Sequence, residues 1–148
     1  VPLYLSSKNV NVVLDTLLPK QEQFSFVDLG SGCGGLLNNL AKVHKNGLFY
    51  GIESAPLPLL ISKLRSLPNH GSCQIFWGSF WEYDLSQYDV VYAYLSPIPM
   101  ESLWRKVSKE MRPGSLLISN TFLIPGVTPH KSIQLNDFSN STLYLWKI

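Results

Sequence analysis

Cysteine is scarce: Cys33 and Cys73 are the two in 148 residues, far apart, with no CxxC pair and no histidine at ligand spacing. That excludes a disulfide framework and a metal site of familiar spacing, and it reads as reduced thiols in a cytosol-like compartment. Charge is sparse too, with twelve Lys/Arg against ten Asp/Glu for a net +2. The cations, among them Lys8, Lys42, Lys63, Lys106 and Lys131, are scattered, without the dense basic stripe of a nucleic-acid surface. No apolar run reaches the roughly 18 residues of a membrane helix, and no signal-peptide pattern is present. A cytoplasmic location is the expectation, with an anchor upstream of Val1 left open. His44, His70 and His130 fall at helix ends or in loops and read as solvated.

What is present suffices for one core. The chain is 45% apolar and 12% aromatic, which fills a single domain and leaves no room for a separate substrate domain. Short β-rich runs alternate with helical patterns, the signature of a mostly parallel α/β sheet with helices on both faces. Strands are expected near 25–29, 48–53, 73–77, 88–94, 114–119, 131–136 and 142–147, and helices over 8–18, 34–45, 56–67 and 99–111. Pro56 and Pro99 suit first turns, while Gly47 and Gly71 follow helix ends. The tail departs from the alternation: SIQLND and TLYLWKI, joined by Phe138-Ser139-Asn140-Ser141, make an antiparallel hairpin. One domain over 1–148 follows, with a helical segment at 1–22, a core at 23–119, and a loop and hairpin at 120–148.

FVDLGSGCGG, Phe26 to Gly35, carries two overlapping motifs. From Gly30 it spells G-x-G-x-x-G, the dinucleotide fingerprint; from Asp28 it spells D-x-G-x-G-x-G. A dinucleotide fold holds pyrophosphate with glycine amides and a helix N-terminus, and a carboxylate at Asp28 would repel it. The same carboxylate would accept hydrogen bonds from the cationic amino-acid end of S-adenosylmethionine. Gly30, Gly32 and Gly34, with Ser31 between them, would let the backbone approach that cofactor. Glu53 ends the second strand in YGIES, 23 residues after Gly30, where an acid can grip ribose hydroxyls of either cofactor. Ser54 follows it. Ser79 and Phe80 in WGSF would present a polar group and an apolar wall to adenine. Tyr94, with Leu95, Ser96 and Pro97, closes the fourth strand, where open α/β sheets place their ligand crevice; Tyr94 is the candidate for contacting the methyl acceptor. Trp81 is expected to share an apolar slot with it, and Glu82 and Asp84 are candidate helpers in deprotonation.

Over essentially its whole length the chain resembles the class I, Rossmann-like methyltransferases: FVDLGSGCGG, YGIES, WGSF, YDVVYAYL and RPGSLLISN occur in their order. The resemblance implies S-adenosylmethionine as cofactor and a seven-stranded sheet with its last strand inserted antiparallel. More narrowly, VPLYLSSKNVNVVLDTLL, VVYAYLSPIPMESLWRKV and GSLLISNTFLIPG resemble the small protein-lysine methyltransferases that modify the ATP-synthase c-subunit and the adenine nucleotide translocase. Cys33 and Ser54 stand where that family commonly has an acid and an Asn. A protein lysine is the implied acceptor; a small molecule, RNA, or a non-catalytic cofactor-binding role are the alternatives. Leu95-Ser96-Pro97-Ile98 lacks the Asp/Asn-Pro-Pro-aromatic run of enzymes that methylate base amines, and oligomeric state is not legible.

Overall fold

The structure is a computed structural model that describes residues 2–69, 71–135 and 141–148, and for residues 2–9 the backbone. Expectations for His70, for the Lys8 side chain and for the turn at Phe138–Asn140 lie outside the described residues.

Seven strands form one sheet in the order β3-β2-β1-β4-β5-β7-β6. In chain order the elements are α1 (Pro2–Leu17), β1 (Phe24–Leu29), α2 (Gly35–Val43), β2 (Gly47–Glu53), α3 (Pro56–Ser66), β3 (Cys73–Trp77), β4 (Val90–Ala93), α4 (Met100–Glu110), β5 (Leu116–Asn120), β6 (Lys131–Gln134) and β7 (Thr142–Lys147). Strands β1 to β5 pair in parallel, whereas β7 runs antiparallel between β5 and β6. The strand order reverses between β1 and β4, and an open sheet leaves its ligand crevice there, at the carboxyl ends of the strands.

The central strands read as continuous apolar runs because helices cover both faces. Along β1 alternate residues serve two cores: Phe24 and Phe26 pack with Val10 and Leu14 of α1 and Leu37 and Leu40 of α2. Val27 and Leu29 point to the other face, onto Met100, Leu103 and Val107 of α4. Those three recur at i, i+3 and i+7, one stripe of an amphipathic helix, and each stabilises by about 1.5–3 kcal/mol through burial.

Several boundaries differ from the expected ones for local reasons. Helix α1 starts at Pro2 rather than 8, with proline in the first turn where its missing N–H costs nothing. Strand β4 starts at Val90 rather than 88 because Asp89 turns its carboxylate onto the Ser25 amide (2.8 Å) and Arg112 (2.8 Å). Gly114, at φ +90°, delays β5 to Leu116. His44 corrects the solvated reading: it is buried against Phe24 and Phe49, and its Nε2 lies 2.7 Å from Asp15 Oδ1, joining α1 to the loop before β2. His130 is exposed as expected, and its Nδ1 accepts the Lys147 amide.

Candidate active site

The glycine loop lies at the switch point. Gly30 and Ser31 amides both donate to the Ile52 carbonyl (2.9 and 3.1 Å), tying the loop to β2. That approach depends on Gly51, where a Cβ would sit 2.6 Å from Ser31 Oγ and 2.7 Å from Leu37 Cδ1. Gly32 has a left-handed φ of +59° and no atom within 4 Å of where a Cβ would be, so its free side faces open space. Valine there would therefore add backbone strain, besides obstructing a ligand. Gly34, also left-handed, is the N-cap of α2, which removes Asp28 from that role.

Three side chains hold the loop, and two of them escaped the sequence reading. Glu53 spans it, with Oε1 accepting the Gly32 amide (2.7 Å) and Oε2 the Ala55 amide (2.8 Å). Ser62 of α3, fully buried, donates its hydroxyl to the Gly32 carbonyl. Asn38 of α2 donates to the Gly34 carbonyl (2.7 Å). For Asn38 a signal was available, since Asn inside a helix commonly bonds backbone one turn away; Ser62 reaches backbone 30 residues away in sequence, which no local pattern announces.

Asp28 and Glu53 are both buried, and among the described residues no ion pair involves either. Burial first, and the Glu53 charge second, push the Asp28 carboxyl well above the usual carboxylate range. Two buried acids without a cation are costly, and their joint field favours a cationic ligand. Behind Asp28 the polar layer continues. Tyr92 pairs with Asp28 across β1 and β4, its OH accepts from Asn120 Nδ2 (3.1 Å), and burial raises its pKa so that the phenol stays neutral. Asn120 Oδ1 in turn accepts from Thr121 Oγ1 (2.8 Å). Thr121 has a φ of +76° and the Phe122 amide donates to the Asn120 carbonyl (2.9 Å), a γ-turn centred on a β-branched residue. Such strain persists where the surroundings enforce it, and it clusters at functional sites. Neither Asn120 nor Thr121 was singled out from sequence, because left-handed strain at threonine has no sequence signal.

The remaining candidates divide. Tyr94, half-buried just past β4, packs with the core on the α1–α2 side, and Leu95 Cδ2 lies 3.4 Å from the Cβ position of Gly30, so the end of β4 meets the glycine loop. Ser54 is exposed, and its carbonyl accepts from Trp77 Nε1 (3.4 Å). Ser79 caps the one-turn 3-10 helix Phe80–Glu82 by accepting the Trp81 amide (3.3 Å), and Phe80 packs with the α4-side core. Among the described residues Trp81 makes no ring contact with Tyr94: its ring lies tilted against Phe80, centroids 4.5 Å apart, and its carbonyl accepts from Lys106 of α4. Asp84 is no helper either. It is exposed, caps the 3-10 turn Leu85–Gln87, and hydrogen bonds from Ser86 hold its pKa down. Cys33 is half-buried; Cys73 is buried, its thiol pushed up to about 11. Among the described residues no group of three His, Cys, Asp or Glu could hold a metal.

Sheet order, glycine loop and strand-end acid define the Rossmann-like methyltransferase class. Residues 28–131 match the ANTKMT methyltransferase domain, and the chain belongs to that family. A protein-lysine N-methyltransferase from Saccharolobus islandicus is 31% identical over 124 residues, 82% of this chain and 77% of that one. An RNA methyltransferase from Salinibacter ruber, solved with S-adenosyl-L-homocysteine, superposes with a TM-score of 0.85 at 25% identity, covering 95% of this chain and 91% of that one. The tRNA methyltransferase TrmK of B. subtilis superposes at 0.75 with 10% identity, over 93% and 64% of the two chains, a likeness of fold.

The enzyme is an S-adenosylmethionine-dependent methyltransferase, and its crevice fits that cofactor. The Asp28 carboxylate accepts no hydrogen bond among the described residues, the buried Ser31 Oγ has no partner, and the open side of Gly32 leaves the backbone approachable.

Proposed function

We propose that this enzyme methylates the side-chain amine of a lysine in a protein. Asp28 receives the ammonium of S-adenosylmethionine, the Gly30–Ser31–Gly32–Gly34 loop receives its backbone-facing edge, and Glu53 its ribose. Each Glu53 oxygen keeps a lone pair after accepting one amide. Ser54 and the Ser79–Phe80 turn flank the base. When bound, the cofactor supplies an electrophilic methyl on a sulfonium.

The observation that carries the acceptor is the rim. The segments after β4 (94–99) and after β5 (121–130) contain no Lys or Arg, and they expose Ile98 (91%) and Leu123 (50%). An RNA acceptor requires cations on its phosphates, whereas an apolar, uncharged rim suits a polypeptide surface. The name of the Saccharolobus relative supports the same reading; that of the Salinibacter enzyme makes RNA the second arm of the test.

A lysine must reach the site neutral, and with a pKa near 10.4 that costs about 4–5 kcal/mol at pH 7 unless the site lowers it. Tyr94, half-buried and next to the apolar core, provides desolvation on one side, and its ring face tolerates the methylated cation by about 0.5–2 kcal/mol. The neutral lysine amine would take the methyl in line from the sulfonium as the S–C bond breaks and S-adenosylhomocysteine leaves, so the chain mainly supplies positioning. Incubation with tritiated S-adenosylmethionine and lysate fractions should label protein, at lysine. Label confined to RNA or small molecules would overturn the lysine assignment. Tyr94→Ala should lower turnover more than cofactor affinity.

A further inference from the structure

Helix α3 wears its leucines outward. Leu57, Leu60 and Leu64, with Leu67 at its C-cap, are 66%, 56%, 60% and 63% exposed, while Ser62 and Ser66 are buried. At about 100° per residue the four leucines fall within a stripe about 80° wide, opposite those serines. Lys63 borders one edge of the stripe; beyond the other edge come half-buried Ile61 and then Arg65, whose guanidinium reaches toward Gly35 of α2. Neither cation has a carboxylate partner among the described residues, and α3 contains no acid. Trp77, 67% exposed, ends the edge strand β3 beside the start of α3, where its Nε1 donates to the Ser54 carbonyl.

We infer that this face docks on an anionic membrane surface. An apolar stripe bordered by cations is how a helix lies in the headgroup plane, and tryptophan favours the same interface. Charge decides the kind of surface: unpaired Lys63 and Arg65 are attracted by anionic headgroups. No described helix is long and apolar enough to cross a membrane, so the contact is peripheral. Docking is independent of the lysine assignment.

The test is co-sedimentation of the whole chain with vesicles of phosphatidylcholine alone and with about 30% phosphatidylserine, at low and high salt. Binding is expected to the anionic vesicles and to fall with salt. Leu60→Glu/Leu64→Glu and Lys63→Glu/Arg65→Glu should each weaken it by at least about tenfold, with cofactor affinity and melting temperature retained as controls on folding. Three results would overturn docking on a membrane: no binding to anionic vesicles, both variants binding like the parent, or a dimer in solution that the leucine variant dissociates.

Discussion

On the proposed reading Asp28 receives the cofactor's ammonium, and the cost of burying its carboxyl is measurable without substrate. A carboxyl whose folded pKa is raised contributes stability that is present below its unfolded pKa, near 4, and is lost as pH rises through the folded value. The cofactor-free protein should therefore lose stability across that window through Asp28. Asp28→Asn should remove this loss and raise the melting temperature at pH 7; a lower one would contradict the uncompensated charge. Cofactor affinity of the parent should run the other way, falling as pH drops through the raised pKa, because only the carboxylate attracts an ammonium. Thr121 offers a second test. Thr121→Gly relieves a strain of about 1–3 kcal/mol while losing the bond to Asn120 and gaining chain entropy, together of similar size. Melting should barely move, whereas turnover should fall about tenfold if the γ-turn sets the acceptor loop. Unchanged turnover would reduce the strain to a by-product of β5–β7 pairing.

Among the elements, β2 and α3 do more for the site than their apolar patterns suggest. Gly51→Ala forces the loop from β2, since its Cβ would meet Ser31 Oγ at 2.6 Å. The expected loss is about 1–3 kcal/mol in denaturant unfolding, together with weaker cofactor binding; an unperturbed protein would mean the loop is free to shift. The elements themselves were legible from periodicity and punctuation: Pro56 starts α3 as expected, and β2 and β7 end at or near the expected residues. Illegible were features fixed by long-range contacts. The part-buried His44–Asp15 pair joins residues 29 apart in sequence, and the 3-10 turns Phe80–Glu82 and Leu85–Gln87 depend on the Ser79 and Asp84 caps, whose signal was read as chemistry instead. A helix over 56–67 was legible, but the outward side of its leucines was not, because periodicity gives a face and not which side it lies on.

For the whole molecule, the topology brings residues far apart in sequence to the carboxyl ends of adjacent strands: Asp28 on β1, Glu53 on β2, Tyr94 after β4 and Asn120 on β5. Sequence order yielded the first three through motifs, and the sheet had to add the fourth. The central claim is that Asp28 holds the cofactor's ammonium while Glu53 holds its nucleoside. Calorimetry with S-adenosylmethionine and 5′-methylthioadenosine, which lacks the ammonium, tests it on the parent, Asp28→Asn and Glu53→Ala. Asp28→Asn should weaken the first ligand and spare the second, and Glu53→Ala should weaken both by about 1–3 kcal/mol. Equal loss of both ligands in Asp28→Asn, or no loss of either, would contradict the assignment.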